Sequence, residues 1–203
     1  MRRIGIYGGS FNPIHTGHIS LAKHILSAAG LDGVWLVVSP QNPLKTGNGS
    51  LINDEVRLRL ARKAIEGIPS ISVSDCEFHM PRPSYMWNTL HHLSETNPDI
   101  SFSLIIGADN WLDFDRWYHA RDIIATYNVI IFPRDGYPVD ATKLPKGVTL
   151  VNTPLFPISS TEIRQKVARG ESISGLVPTV IEEEVWQVYG YENADDVLLQ
   201  QLR

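Results

Sequence analysis

Short apolar runs alternate with helix-like patterns along this chain. The continuous apolar runs cover 3–7, 34–38, 71–74, 102–106, 128–132 and 148–151. Segments with apolar residues three and four positions apart cover 17–29, 53–65, 84–94, 120–126, 159–168 and 180–188. Continuous apolar strands that alternate with helices are typical of a parallel sheet covered on both faces. The pattern therefore predicts an α/β fold with a doubly wound, mostly parallel sheet, flanking helices and a small C-terminal helical element.

We expect the chain to form a single domain. It has 203 residues, of which 43% are hydrophobic and 20% are charged, an ordinary composition for a globular protein. No internal repeat or low-complexity segment divides it. The expected domain is therefore 1–203, with 158–203 as its C-terminal helical part.

Net charge and cysteine content limit the partners of this domain. A net charge of −4 gives no overall attraction to nucleic acid, and no apolar run reaches membrane-spanning length, so we expect neither partner. The single Cys76 excludes an intrachain disulfide and a cysteine-based zinc site, which indicates a reducing, cytoplasmic setting. Anionic small molecules remain candidates, and the sequence leaves open whether the chain forms a homo-oligomer.

Polar, glycine-rich segments follow the predicted strands. In open α/β sheets, ligands bind outside the carboxyl ends of the strands, near the point where the strand order switches. Four segments occupy such positions, namely 8–18, 39–45, 107–111 and 158–164. We therefore expect these segments to form the binding site together.

The 8–18 loop joins the first predicted strand to the first predicted helix. Backbone N–H groups in such a loop, and the helix N-terminus that follows, favour phosphate. His15 and His18 lie at the helix start with Gly17 between them, so both rings can donate hydrogen bonds to phosphate oxygens from one side of the first turn. The alternative is a pair of surface histidines that cap a helix. The Walker A and dehydrogenase glycine patterns are absent, so the sequence supports neither P-loop hydrolysis nor hydride transfer.

A second anion-binding pattern opens the helix predicted at 159–168. Ser159, Ser160 and Thr161 place three hydroxyl groups at the helix N-terminus, and Arg164 follows one turn later. The alternative is an ordinary helix cap. Together with the 8–18 loop, the segment is consistent with a site for a triphosphate.

These two segments resemble the signature motifs of the nucleotidyltransferase superfamily, which is related to class I aminoacyl-tRNA synthetases. The first motif is His15-x-Gly17-His18, and the second is Ile158-Ser159-Ser160-Thr161-x-Ile163-Arg164. Within this superfamily the chain most closely resembles the bacterial nicotinate-nucleotide adenylyltransferases. The stretches that carry this closer resemblance are Ser84-Tyr85, Gly107-Ala108-Asp109-Asn110-Trp111, Arg116-Trp117-Tyr118 and Gly175-Leu176-Val177-Pro178. The resemblance covers nearly the whole chain and implies a Rossmann-like fold.

The resemblance implies adenylyl transfer from ATP to nicotinate mononucleotide, giving nicotinate adenine dinucleotide and pyrophosphate, a step of NAD biosynthesis. The mononucleotide phosphate attacks the α-phosphorus of ATP directly and in line, and because it is already anionic no general base is needed. The implied catalytic residues are His15, His18, Lys45, Ser160 and Arg164. The implied ATP-binding residues are Gly8, Gly9, Ser10, Phe11, His15, His18, Gly107, Asp109, Ile158, Ser159, Ser160 and Arg164. Mg²⁺ is implied as an ion carried with ATP, since no carboxylate cluster is evident in the sequence as a metal site.

The residues that the resemblance implies for mononucleotide binding are Ser10, Phe11, Lys45, Ser84, Tyr85, Thr89, Trp117 and Tyr118. Trp117 could stack on the pyridine ring, although Trp117 and Tyr118 could also be core aromatics. The chain departs from the family pattern at three positions. Leu44 stands in place of the usual His, Met86 in place of a hydroxyl residue, and Asn88 in place of Asp.

Two other functions remain open at this point. The first keeps the chemistry but changes the acceptor to nicotinamide mononucleotide, phosphopantetheine or a flavin nucleotide. The second is a nucleotide-binding regulator without catalytic turnover. The presence of His15, His18, Lys45, Ser160 and Arg164 favours an enzyme over the regulator.

Overall fold

A parallel sheet organises the part of the chain that the computed structural model describes, which is residues 1–40 and 51–201, with 191–201 described by their backbone alone. Its strand order is β3-β2-β1-β4-β5-β6, and every pairing is parallel. The strands are β1 (Arg2–Gly9), β2 (Gly33–Val38), β3 (Ile71–Ser74), β4 (Ile100–Gly107), β5 (Asn128–Phe132) and β6 (Val148–Leu150).

Helices connect these strands and cover both faces of the sheet. The α-helices are α1 (Thr16–Ala28), α2 (Asp54–Ala64), α3 (Met86–Thr96), α4 (Ala108–Leu112), α5 (Ala120–Thr126), α6 (Ser160–Ala168) and α7 (Thr179–Gln201). Short 3₁₀ turns cover Cys76–His79, Phe114–Arg116 and Ala141–Lys143. Within the described residues, no helix has both the length and the hydropathy to cross a bilayer.

The α/β prediction is confirmed, and the described sheet is wholly parallel rather than mostly parallel. Several boundaries differ from the predicted ones. β1 continues to Gly9, α3 begins at Met86 instead of residue 84, and α7 runs to Gln201 instead of ending near 188. Tyr85 is the N-cap of α3 and is in extended conformation, so the helix begins at the next residue.

Alternating strand residues supply two hydrophobic cores, one on each face of the sheet. Along β5, Ile130 and Phe132 enter the core under α1, α2, α6 and α7, whereas Val129 and Ile131 enter the core under α3, α4 and α5. Burial on both faces explains why the strands are continuous apolar runs. The helices of the C-terminal part pack on the same core as the first two helices.

The strand order reverses between β1 and β4. β1 pairs with β2 on one side and with β4 on the other, so the connections from β1 and β4 leave in opposite directions along the sheet. A crevice outside the carboxyl ends of these two strands is the usual binding position in such a sheet. The 8–18 loop follows β1 and α4 follows β4, so both lie at this crevice.

Candidate active site

The two histidines of the 8–18 loop bind the start of α1 in a reciprocal cap. The His18 backbone N–H donates to Nδ1 of His15 (3.3 Å), and the His15 backbone N–H donates to Nδ1 of His18 (3.3 Å). A ring nitrogen that accepts a hydrogen bond carries no hydrogen, so the hydrogen of each ring belongs on Nε2. The cap therefore fixes the tautomer in which Nε2 is a donor. Capping and phosphate binding are compatible, because they use different nitrogens.

His15 is held in its neutral form. Its side chain is buried, and its ring stacks on that of His18 with centroids 3.6 Å apart. Burial and, as a smaller contribution, the nearby positive charge of Arg134 lower the pKa of His15 to about 4. At neutral pH the ring is consequently an uncharged hydrogen-bond donor.

The second half of the 8–18 loop is fastened to the C-terminal helices. Ser160 Oγ donates to the Pro13 carbonyl (2.8 Å), and Arg164 Nη1 donates to the Asn12 carbonyl (2.7 Å). Tyr189 of α7 donates from its hydroxyl to Asn12 Oδ1 (2.7 Å), and this contact is buried. The structure therefore brings together the two segments that the sequence singled out at opposite ends of the chain.

The N-terminus of α6 forms the wall opposite the histidines. Ser159 caps this helix by accepting from the Glu162 N–H (3.1 Å), which is the alternative role that the sequence left open for this segment. Ile158 lies next to Gly17, since a Cβ built on Gly17 would be 3.5 Å from the Ile158 Cβ. A side chain on Gly17 would separate α1 from this wall.

Gly8 and Gly9, at the end of β1, allow close packing behind the loop. A Cβ on Gly8 would lie 2.7 Å from Met86 Cε, and one on Gly9 would lie 3.1 Å from the Phe11 ring. Phe11 itself is buried and has a positive φ of 44°. Met86, which stands where the family has a hydroxyl residue, thus touches the end of β1.

The end of β4 carries Asp109 and a cation that the sequence analysis missed. Arg134, directly after β5, places its Nε 3.7 Å from Asp109 Oδ1. A Cβ on Gly107 would be 2.2 Å from the same carboxylate oxygen and 3.2 Å from the Arg134 side chain. Gly107 therefore makes room for this pair. Arg134 follows a strand, so the rule about strand ends could have identified it.

The candidate acceptor side is built from α3 and the segment that precedes it. Ser84 is buried, and its hydroxyl opposes the rise in pKa that burial causes at the Glu77 carboxyl. The Tyr85 ring lies 4.8 Å from that of Tyr118. Thr89 is fully buried and donates to Glu77 Oε1 (2.7 Å), so the structure does not bring this predicted binding residue to the crevice surface. Burial raises the pKa of Glu77, which the Thr89 hydroxyl opposes.

Trp117 and Tyr118 lie between the 3₁₀ turn Phe114–Arg116 and α5. Trp117 is half-buried against Phe114, with ring centroids 5.2 Å apart, and its buried Nε1 has no hydrogen-bond partner among the residues that the structure describes. Tyr118 is 49% exposed. Trp117 is therefore partly a core residue, and Tyr118 presents its ring to solvent beside Tyr85. Lys45, the remaining predicted site residue, lies outside the described residues.

Arg57 of α2 is the second functional candidate that the sequence analysis missed. Its side chain is fully buried, and it binds backbone carbonyls next to the ends of β1 and β2. No sequence signal distinguishes it from Arg59 and Arg62 on the same helix, because only the folded chain shows which arginine points inward.

The described residues offer phosphate donors but no protein-built metal site. No three His, Cys, Asp or Glu side chains among them lie close enough together to hold a metal ion. The crevice combines two Nε2 donors, a helix N-terminus with hydroxyl groups and the cation of Arg164. Such a set can align phosphate groups and stabilise negative charge that develops on them.

Known proteins resemble this chain over most of its length. Residues 6–166 match the family described as cytidylyltransferase-like. The chain is 52% identical over 163 residues to a protein of Bacteroides thetaiotaomicron, covering 80% of each chain, and 44% identical over 185 residues to one of Bacteroides fragilis, covering 91% of this chain and 92% of the relative. Both relatives are named "Probable nicotinate-nucleotide adenylyltransferase".

A solved structure supports the fold. The Plasmodium falciparum nicotinic acid mononucleotide adenylyltransferase complexed with NaAD aligns with a TM-score of 0.74 at 22% identity, covering 93% of this chain and 98% of that one. At that identity the likeness concerns the architecture.

Proposed function

The chain belongs to the cytidylyltransferase-like family of nucleotidyltransferases, and on this premise we propose that it transfers the adenylyl group of ATP to nicotinate mononucleotide. The products are nicotinate adenine dinucleotide and pyrophosphate, and the reaction is a step of NAD biosynthesis. The relatives at 44% and 52% identity carry the name of this activity.

One observation carries the chemical part of the proposal. The reciprocal cap directs the Nε2 donors of His15 and His18 away from the helix backbone, beside a loop that Ser160 and Arg164 fasten to α6. Two ring N–H donors suit a reaction in which charge is redistributed between phosphate groups and no proton is transferred. An ordinary surface cap would not need a second helix N-terminus facing it.

The reaction makes one bond and breaks one. An oxygen of the mononucleotide phosphate attacks the α-phosphorus of ATP, and the bond between the α-phosphorus and its bridging oxygen breaks as pyrophosphate leaves. The nucleophile is already anionic, so neither a general base nor a covalent enzyme intermediate is needed. Catalysis consists of alignment and charge stabilisation.

In this proposal each part of the crevice holds a part of ATP. His18 donates to the α-phosphate, and His15 orients the phosphates. Ser159, Ser160 and Arg164 hold the departing β- and γ-phosphates. To do this, Ser160 and Arg164 exchange or share their present carbonyl partners on the 8–18 loop. The backbone from Gly8 to Phe11 supplies further N–H donors, and Asp109 beside Gly107 accepts from a ribose hydroxyl.

The acceptor lies on the side of α3 and Tyr118. Trp117 and Tyr118 flank the pyridine ring, with Ser84 and Tyr85 beside them, and Lys45 adds positive charge for the phosphate. Thr89 supports this side from within through Glu77. The substrate is the magnesium complex of ATP, in which the ion is bound by the phosphates and water and neutralises part of their charge. We place this activity in the cytoplasm.

A comparison of acceptors tests the proposal. Purified protein is given ATP and Mg²⁺ with nicotinate mononucleotide, nicotinamide mononucleotide, phosphopantetheine or a flavin nucleotide, and pyrophosphate release is followed. We expect the highest kcat/KM with nicotinate mononucleotide. A higher value for another acceptor would overturn the assignment of the acceptor. Tight ATP binding without turnover of any acceptor would support a regulator instead.

A further inference from the structure

A fully buried arginine holds together the loops that follow β1 and β2. Arg57 of α2 has no solvent-exposed side-chain surface. Its Nη1 donates to the carbonyl oxygens of Ser10 and of Ser39 (2.9 Å to the latter), and its Nε donates to the Ile52 carbonyl (3.3 Å). Ser10 belongs to the loop after β1, and Ser39 comes directly after β2. One guanidinium therefore sets the spacing of two adjacent strand ends.

Asp54 extends this contact to a third segment. Its Oδ1 accepts from Arg57 Nη2 (2.6 Å), and its Oδ2 accepts from Arg82 Nη2 (2.8 Å). Arg82 lies two residues before Ser84, in the segment that leads into α3. The ion-pair triad Asp54–Arg57–Arg82 thus connects the loops after β1 and β2 to the segment with Ser84 and Tyr85.

The chemistry of the triad favours positioning over simple stability. Burying a charge is expensive, and well-packed apolar residues often replace a buried ion pair without loss of stability. A guanidinium instead offers five N–H donors in a rigid planar arrangement, which suits several fixed acceptors at once. Arg57 uses this arrangement on backbone carbonyls, and two of these acceptors, those of Ser10 and Ser39, belong to the loops of the candidate site.

The 8–18 loop has two separate points of attachment. Asn12 and Pro13 are bound by Arg164 and Ser160, on the side that we assign to ATP. Ser10, which we assign to both substrates, is bound by Arg57 at the point where the loop faces the end of β2. Because different helices make the two attachments, one can be weakened while the other stays in place.

We propose that the triad Asp54–Arg57–Arg82 is the positioning unit of the acceptor half of the site, an inference that rests on the proposed adenylyl transfer. The three residues contact neither substrate. They fix the relative positions of Ser10, of the end of β2 and of the segment before α3. Between them these segments hold the mononucleotide.

Steady-state kinetics of conservative variants test this role. Arg57→Lys keeps the charge but cannot reach all the carbonyls, Asp54→Asn keeps the shape but loses the charge, and Arg82→Gln breaks the outer pair. Arg59→Lys and Arg62→Lys are matched controls, since both arginines lie on α2 like Arg57. Arg59 pairs with Glu184 of α7 and Arg62 pairs with Asp75, and both arginine side chains are exposed. The expected effect concerns the mononucleotide alone. We expect each triad variant to raise KM for the mononucleotide about tenfold or more, with KM for ATP within about threefold of wild type.

The control variants should leave both KM values unchanged.

The outcomes separate the inference from the proposed function. If the wild-type chain does not use nicotinate mononucleotide, the proposed function fails. If the wild type is active but the triad variants raise both KM values equally, or lower only kcat and the melting temperature, the triad is merely structural. Arg82 is 49% exposed, so its variant should fold even if the Arg57 variant does not. An unchanged KM for the mononucleotide in folded Arg82→Gln would contradict the inclusion of Arg82.

Discussion

At the scale of single residues, the chemistry of this site depends on which nitrogen of each histidine carries the hydrogen. Each Nδ1 accepts a hydrogen bond from the backbone of the other histidine, so the donors are both Nε2 atoms. Burial keeps His15 uncharged, with a pKa of about 4. A helix cap usually has only a structural role, and in the proposed function this one also prepares two donors for phosphate.

Replacement of His18 by alanine should affect turnover more than ATP binding. A donor aimed at the α-phosphate becomes more valuable as negative charge redistributes in the transition state. We expect His18→Ala to lower kcat by about 10²- to 10³-fold, with KM for ATP within about threefold. Pyrophosphate release under steady-state conditions gives both constants. His24→Ala, at an exposed position on the same helix, is the control. A large rise in KM with unchanged kcat would contradict this role.

The low pKa of His15 predicts a loss of stability in weak acid. Above pH 6.5 the ring is neutral in both the folded and the unfolded chain. As the pH falls from 6.5 to about 4, the unfolded chain binds a proton that the folded chain does not, so the free energy of unfolding falls. A difference of about 2.5 pKa units corresponds to about 3 kcal/mol at most.

His15→Asn removes this titration and keeps a good capping side chain. We expect urea unfolding between pH 7.5 and 4.5 to show a smaller loss of stability for the variant than for the wild type. Groups other than His15 titrate equally in both proteins, so the difference between the two curves isolates His15. Parallel curves would mean that His15 is not the neutral, buried group described above.

At the scale of elements, the sequence predicts what is periodic. The apolar runs placed β3 and β5 at their observed bounds. The 3₁₀ turns and the short α4 were missed, because elements of three to five residues show no period. Arg57 was missed because the polar pattern of α2 does not reveal which arginine is buried.

Gly107, at the end of β4, allows the proposed role of Asp109 to be tested by a substitution that does not strain the backbone. Gly107 has φ −74° and ψ 157°, which any residue can adopt, but a Cβ there would be 2.2 Å from Asp109 Oδ1. Gly107→Ala should therefore displace the Asp109 side chain without unfolding the sheet. We expect KM for ATP to rise about tenfold, as expected for losing one hydrogen bond to a charged group.

A second glycine provides the matched control for this substitution. Gly190 lies inside α7, where a Cβ would meet its nearest neighbour, Val167, at an ordinary 3.8 Å. Gly190→Ala should leave both KM values unchanged and stabilise the protein by about 0.5–1 kcal/mol, since alanine favours helix. If Gly107→Ala also leaves KM for ATP unchanged, Asp109 does not bind the nucleotide.

At the scale of the whole molecule, the site depends on contacts between distant parts of the chain. The sheet brings the end of β1 next to the end of β4, and α6 and α7 return to the 8–18 loop near the other end of the chain. Because α6 and α7 pack on the same core as α1 and α2, the C-terminal part is not free to separate from the sheet. The 8–18 loop is thus held in place by α6 and α7.

This arrangement predicts that the chain unfolds as one cooperative unit. The two cores share every central strand, so neither face of the sheet can open without exposing the other. Trp186 packs on one core, whereas Trp35, Trp87, Trp111 and Trp117 pack on the other. We expect tryptophan fluorescence of the wild type, fluorescence of Trp186→Phe and far-UV circular dichroism to give the same urea midpoint. ATP at about 100 times its Kd should raise the free energy of unfolding by about 2.7 kcal/mol. All three urea midpoints should therefore rise together. A separate early transition in circular dichroism, insensitive to ATP, would show that the C-terminal helices form an independent unit and would remove the structural basis for α6 as the second wall of the site.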